Sequence, residues 1–104
     1  MTRRHFAYKL IPPRRTFFQD MSDQERAIMG RHVLYWTGQL EVGKAVVFGP
    51  VLDPAGSWGL AIVEADNEEE VHAMALDDPA VTSKMASFEV YPMPRAIVRS
   101  AAQT

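Results

Sequence analysis

One histidine, His32, lies in an apolar stretch of the chain and is the first candidate for chemistry. Residues 30–37 read GRHVLYWT, so the histidine is followed directly by valine, leucine, tyrosine and tryptophan. An imidazole changes charge near neutral pH, with an unperturbed pKa of about 6.5, and therefore serves as a general acid or base in many enzymes. His32 is either a working group in a pocket or a polar side chain at the edge of a core.

Other reaction chemistries find little support in the residue types. The chain contains no cysteine, which excludes disulfides, thiol nucleophiles, cysteine-ligated zinc and iron–sulfur clusters. We find no phosphate loop, no nucleotide-binding fingerprint and no Ser/His/Asp order. The two further histidines, His5 and His72, are interpreted as surface residues rather than ligands. We therefore predict no cofactor and no metal.

The charge balance argues against nucleic acid and membrane partners. The formal net charge is −2, so no global basic field attracts nucleic acid. Two small basic clusters, Arg3-Arg4 and Arg14-Arg15, favour solvated strand ends over phosphate sites. No apolar run approaches the roughly 20 residues of a membrane span, and the N-terminus does not resemble a secretory signal. We expect a cytoplasmic protein.

The hydrophobic pattern predicts the elements that must position His32. Residues 5–11 alternate, with Phe6, Tyr8 and Leu10 on one side, which is typical of a half-buried strand. A capping box of Ser22 and Glu25 begins a helix that runs to about Leu40. The later segments are a strand at 44–50 buried on both faces, a strand at 57–65, a helix from Asp66 or Asn67 ending before Pro79, a short helical turn within 80–86, and a strand at 87–93.

Three local expectations follow from the same pattern. The inward stripe of the first helix consists of Ile28, Met29, His32, Val33, Trp36 and Leu40. Asp66 with Glu69 mimics a second capping box, and Val71, Met74 and Ala75 form the inner stripe of that helix. Residues 14–20 form a loop, whose Phe17 and Phe18 are too apolar to stay fully in water.

The element order β-α-β-β-α-β predicts an α+β, ferredoxin-like fold: a four-stranded antiparallel sheet with two helices on one face. We predict a single domain, 1–104, with its core at about 5–93 and a C-terminal tail at 94–104. The other face of the sheet is apolar, and nothing in the chain covers it. An uncovered apolar face favours pairing, so we expect a homodimer in which two copies close an α/β barrel through their open faces.

These features together resemble the YciI-like (YCII-related) family, within the dimeric α/β-barrel superfamily. The resemblance rests on the helix with His32, on GQLEVGKAVVFGP, on the Gly-containing hairpin, on the acidic helix 68–76, on DDPAV with Asp78-Pro79, and on the strand ending in EVYPM. It covers residues 5 to 93. The long connection PPRRTFFQDMSDQE, between the first strand and the first helix, departs from the simplest form of the family and is a candidate cap for a pocket.

The resemblance implies that His32 and Asp78 form a catalytic dyad. A carboxylate bonded to one ring nitrogen fixes the tautomer and leaves the other nitrogen basic. The alternative is a purely structural hydrogen bond, in which Asp78 caps a local turn. A metal site from His32, Asp78 and a further carboxylate lacks the expected spacing.

Five residues are candidates for substrate binding: Tyr8, Trp36, Gly49, Pro50 and Trp58. Aromatic walls suit a flat apolar ligand with one or two polar handles, although such residues commonly form the core instead. The function expected from the resemblance is acid–base chemistry on a small cyclic or aromatic compound, an isomerisation or an elimination without an organic cofactor. The alternative is a non-catalytic small-molecule-binding or interaction module on the same barrel.

Overall fold

A computed structural model describes residues 4–99; residues 1–3 and the end of the predicted tail, 100–104, lie outside the described part. The elements are β1 (Arg4–Ile11), α1 (Phe17–Asp20), α2 (Asp23–Glu41), β2 (Ala45–Val51), β3 (Trp58–Ala65), α3 (Glu68–Asp77), α4 (Pro79–Thr82) and β4 (Ser87–Pro92). The four strands form one antiparallel sheet in the order β2-β3-β1-β4. The predicted ferredoxin-like order is confirmed, with two four-residue helices, α1 and α4, added to it.

The covered face of the sheet carries the core. Phe6, Tyr8 and Leu10 point to this face, each at most 3% exposed, and their partners on β3 are Val63, Ala61 and Gly59. The predicted alternation of β1 is therefore confirmed. Trp36 of α2 and the predicted stripe of α3 (Val71, Met74 and Ala75) join the same cluster. The two helices therefore bury this face of the sheet, and packing on it brings α2 close to the end of α3.

Helix α2 begins and ends where the sequence predicts. Glu25 N–H donates to the Ser22 hydroxyl (3.1 Å) and the Glu25 carboxylate accepts from Ser22 N–H (2.9 Å), which completes the capping box. Gly43, at φ +81°, follows the helix end in the left-handed conformation that glycine adopts without strain.

The predicted inner stripe of α2 is only partly right. Ile28, His32 and Trp36 are buried at four-residue spacing, whereas Leu40 is 39% exposed and Val33 47% exposed. Each step of four residues rotates the row by about 40° because the helix has 3.6 residues per turn, and this rotation carries Leu40 off the core face. Val33 lines the cavity described below.

Two further expectations need correction. Strand β2 is not buried on both faces: it is an edge strand with Val46 and Val47 exposed, and a short apolar run does not distinguish an edge from a centre. Residues 14–20 are not all loop, because residues 17–20 form α1.

The cap of α3 is also shifted by one residue from the prediction. Asn67, rather than Asp66, accepts from the backbone N–H of residue 70 (2.9 Å), and the Glu70 carboxylate, rather than that of Glu69, accepts from Asp66 N–H (2.9 Å). Both candidate pairs have the same spacing, so spacing alone could not separate them.

The open face of the sheet carries a row of apolar side chains across all four strands. In strand order the row is Val47, Ile62, Ala7 and Tyr91, as the pairing register shows. The row crosses the whole sheet, and Val47 and Tyr91 at its two ends are about half exposed.

Candidate active site

Asp78 lies at the junction of two helices, and the local sequence explains its position. Its backbone is extended, as a residue before proline prefers. It ends α3 by donating its N–H to the Ala75 carbonyl (3.1 Å) and begins α4 by accepting from Ala80 N–H at Oδ1 (2.9 Å). The side chain is fully buried. The turn-capping role predicted as the structural alternative is thus present.

The fold brings His32 to this carboxylate across 46 residues of sequence. His32 Nδ1 lies 2.9 Å from Asp78 Oδ1 and 3.0 Å from Oδ2. Because an ionised carboxylate only accepts, Nδ1 carries the proton and donates it. Among the described residues Nε2 has no hydrogen-bond partner, and it is the nitrogen left for chemistry.

Two aromatic side chains complete the surroundings of Asp78. Tyr8 OH donates to Oδ2 at 2.8 Å, and Trp36 Nε1 donates to the same oxygen at 2.9 Å. Their rings lie 4.9 Å apart between centroids. The carboxylate is therefore held by donors from β1, α2 and α4.

These contacts keep Asp78 charged and Tyr8 neutral. Burial by itself raises the pKa of the Asp78 carboxyl, but the hydrogen bonds from His32, Trp36 and Ala80 N–H outweigh it and hold the pKa below its ordinary value. Burial, followed by the adjacent Asp78 charge, raises the pKa of the Tyr8 phenol far above its ordinary value. The site therefore pairs a fixed negative charge with neutral donors.

His32 faces an apolar cavity of about 180 Å³ between α2 and the sheet. For comparison, an engineered apolar cavity of about 150 Å³ binds benzene. The lining residues are Tyr8, Leu10, Phe18, Met29, His32, Val33, Trp36, Phe48, Gly49, Pro50, Gly59, Leu60 and Ala61. This lining contains no lysine, arginine, aspartate or glutamate, and the Tyr8 and Trp36 donors are already bonded to Asp78. Among the side-chain nitrogens of these lining residues, His32 Nε2 is the one without a hydrogen-bond partner.

The predicted binding residues divide into two groups. Tyr8, Trp36, Gly49 and Pro50 line the cavity. Trp58 does not line it, because its side chain points to the face opposite to that of the next residue, Gly59. Its indole N–H donates to Asp53 (3.2 Å), and Lys9 Nζ lies 4.8 Å from its ring centroid. Trp58 is thus on the open face, because a shift of one residue along a strand reverses the face.

Sequence reasoning missed one aromatic wall of the cavity, Phe48. Phe48 could have been found, because it alternates with Pro50 on the same strand. Phe18 lies in the connection that the sequence offers as a candidate cap, and it lines the cavity.

The remaining titratable groups do not assemble a metal centre. Within residues 4–99, no three histidine, aspartate or glutamate side chains lie close enough to hold a metal ion. His5 Nε2 lies 3.3 Å from Glu64, and His72 Nε2 lies 3.4 Å from Glu68, one helical turn away. In the same described range, no helix is long and apolar enough to cross a membrane.

Comparison with known proteins identifies the family. The model of the YCII-related domain matches residues 10–94, which is most of the chain. The chain belongs to the YCII-related family. The resemblance inferred from the sequence is thereby confirmed. No curated protein matches this YCII-related chain significantly.

Two solved structures are similar to this YCII-related protein to different degrees. One is a 5-chloro-2-hydroxyhydroquinone dehydrochlorinase from Burkholderia phenoliruptrix in complex with 2,5-dihydroxybenzoquinone, 18% identical, with a TM-score of 0.63 over 88% of this chain and 95% of that chain. Another is a protein of unknown function from Nitrosomonas europaea, 11% identical, with a TM-score of 0.42 over 95% of this chain and 97% of that chain. The first of these supports the ferredoxin-like architecture.

Proposed function

We propose that this YCII-related protein is an acid–base enzyme acting on a small, flat, uncharged ring compound, with His32 as the base and Asp78 as the group that orients it. One observation carries the proposal. The imidazole lines an apolar cavity of benzene-like volume while its Nδ1 is held by a buried, charged carboxylate.

The chemistry follows from the two ring nitrogens. Asp78 accepts a hydrogen bond from Nδ1–H, which keeps the proton on Nδ1 and leaves Nε2 with a lone pair toward the cavity. Nε2 takes a proton from a substrate carbon or hydroxyl, and Asp78 stabilises the imidazolium that forms. In an isomerisation the imidazolium returns the proton to another atom. In an elimination the C–H electron pair becomes the new double bond, and the leaving group departs with its bonding pair.

The cavity lining supports the substrate class. A carboxylate or phosphate would enter without a cationic partner, and burying an unpaired charge is costly. A ring with one weakly acidic hydroxyl can pack against the apolar walls and donate a hydrogen bond to Nε2. The dehydrochlorinase of similar fold acts on a hydroquinone, by its name, and this activity agrees with the proposed class.

The test is turnover on a panel of phenols, hydroquinones and their halogenated forms, followed by chromatography of the products. His32→Gln should lower the rate by about 10²–10⁴-fold, the usual contribution of a general base. His72→Gln is the matched control, because His72 lies exposed on α3, contacts Glu68 and the Phe88 ring, and does not line the cavity. Full activity of His32→Gln contradicts the proposal. Binding without any product indicates the non-catalytic binding module instead.

We also infer that the open face of the sheet pairs with a second copy of the chain. The row Val47, Ile62, Ala7 and Tyr91 crosses the whole sheet and supplies the apolar area that such pairing buries. Ile62→Glu should convert the dimer to a monomer in light scattering. Leu34→Glu, an equally drastic change at a 72% exposed position on α2, should not. A wild-type protein that is monomeric at high concentration contradicts this inference.

A further inference from the structure

The connection between β1 and α2 contributes one wall of the cavity through Phe18. Phe18 is the α1 residue in the cavity lining. Its neighbour Phe17 is 1% exposed and packs edge-on against it, with ring centroids 5.4 Å apart. Phe17 therefore anchors α1 in the protein, while Phe18 is presented to the cavity.

Arg14 fixes α1 from one side. Its guanidinium donates to the Asp20 carboxylate (2.8 Å) and to the Asp20 carbonyl (2.9 Å), and both terminal nitrogens donate to Glu25 (2.9 Å each). Thr16 OH donates to the other Asp20 oxygen (2.7 Å). Since Glu25 belongs to the capping box of α2, Arg14 connects Asp20, at the end of α1, to the start of that helix.

Arg15 fixes the connection from the other side. Its Nε donates to the Ala55 carbonyl (2.9 Å) in the turn between β2 and β3. Gly56 of that turn is at φ +130°, and a Cβ there would meet Arg15 Cγ at 3.2 Å, so the turn closes tightly on the arginine stem. The two connections at this end of the sheet are joined directly, and contacts from Arg14 and Arg15 hold α1 beside the cavity.

We propose that Phe18 determines substrate size in this protein, by limiting the cavity to one-ring compounds, and that Arg14 and Arg15 hold it in place. The proposal rests on the proposed function for its ligand class, but it concerns binding and not turnover. A cavity of about 180 Å³ suits one ring, and a second fused ring has to displace a wall. Replacing Phe18 by alanine removes one phenyl ring from the lining.

The experiment compares the binding of phenol and 2-naphthol by NMR titration. Wild-type protein should bind phenol and should bind 2-naphthol at least tenfold more weakly. Phe18→Ala should tighten 2-naphthol binding at least tenfold. Val33→Ala is the matched control, because it also enlarges the cavity but from α2, and it should leave the preference for phenol in place.

A second pair of variants tests the support of Phe18. Arg14→Gln should raise the affinity for 2-naphthol by a smaller factor than Phe18→Ala does, because α1 is loosened but the ring remains. Arg26→Gln, on an exposed position of α2 and outside these contacts, should not change it.

The proposal is overturned if 2-naphthol binds equally well to wild type and Phe18→Ala, if Val33→Ala produces the same gain, or if neither probe binds wild type. It stands if the size preference changes as expected while no turnover is found with any ring compound. In that case it is the catalytic proposal that fails.

Discussion

Two carboxylate clusters contact residues that carry the walls of the cavity, and they differ in how they are held. Asp78 is fully buried and is bonded by His32, Tyr8, Trp36 and Ala80 N–H. Asp20 and Glu25 lie near the surface and share the guanidinium of Arg14. The buried cluster fixes the nitrogen that would do chemistry, whereas the exposed cluster fixes the shape of the pocket.

The physical difference between the clusters is solvent. Hydrogen bonds from Arg14 lower the pKa of Glu25 to about 2, yet water screens such pairs, and their loss costs little stability. Asp78 has no exposed surface, so a missing partner leaves a buried group unsatisfied at full cost. The comparison predicts that substitutions at the buried cluster have large effects and those at the exposed cluster have small ones.

The largest effect should come from Asp78→Ala. Loss of the carboxylate leaves the buried donors of Tyr8, Trp36 and Ala80 without an acceptor. We therefore expect the free energy of unfolding to fall by about 3–5 kcal/mol. Urea denaturation measures this, with Asp20→Ala as the matched control in the exposed cluster. Should Asp78→Ala not fold, Asp78→Asn keeps one acceptor and gives an intermediate loss. Equal losses at positions 78 and 20 would contradict the comparison.

Tyr8→Phe should produce the next largest effect. Tyr8 donates to a buried charge, and such a hydrogen bond contributes about 1.5–3 kcal/mol, against about 0.5–1.5 kcal/mol for one between neutral groups. Tyr35→Phe is the control, since Tyr35 OH donates to the neutral carbonyl of Met74 at 2.7 Å. Chemical denaturation of both variants measures the two losses in the free energy of unfolding, and the loss should be larger for Tyr8→Phe. A smaller loss for Tyr8→Phe than for Tyr35→Phe would show that Asp78 does not depend on this donor.

Acidification should reduce the difference in the free energy of unfolding between wild type and Asp78→Asn. The pKa of Asp78 is lowered from its ordinary 3.8 in the folded protein, so below about pH 4 the unfolded chain binds this proton first. The stability that Asp78 contributes is therefore complete above that pH and is lost as the pH falls through the lower, folded-state pKa. Denaturation at several pH values checks this, because the depressed carboxyls Asp20 and Glu25 are present in both proteins and cancel. A gap that stays constant on acidification would contradict it.

Arg14→Gln should have the smallest effect on stability. Its partners are exposed carboxylates that water solvates once the guanidinium is gone. Thermal denaturation should show a shift smaller than that of either tyrosine variant, and one that shrinks further at high salt. A shift as large as that of Tyr8→Phe would place Arg14 among the groups that hold the core.

The sequence was enough to predict the fold because its signals are local. The alternation in β1 and the capping box at Ser22 each specify an element without reference to distant residues. The helix phase also turns His32 inward, as predicted. The exposure of β2 could not be read in the same way, since it depends on which strands lie beside it.

The site was less predictable because it depends on contacts between distant residues. Tyr8 and Asp78 are 70 residues apart, and nothing in either segment indicates that the phenol bonds the carboxylate. Trp58 is a candidate binding residue in the sequence because it is aromatic. Side chains alternate along β3, however, and Trp58 points to the face opposite the cavity. The role of Phe18 depends on a short helix held by arginine contacts, which a loop prediction does not contain.

The central claim is that Asp78 holds the proton of His32 on Nδ1 and leaves Nε2 facing a ring-sized cavity. ¹⁵N spectra of the imidazole nitrogens, recorded with and without phenol, test it most directly, with His72 as an internal reference. We expect the neutral imidazole of His32 to carry its hydrogen on Nδ1, and phenol to shift the Nε2 resonance of His32 alone. A hydrogen on Nε2, or an Nε2 resonance that does not respond to phenol, would contradict it.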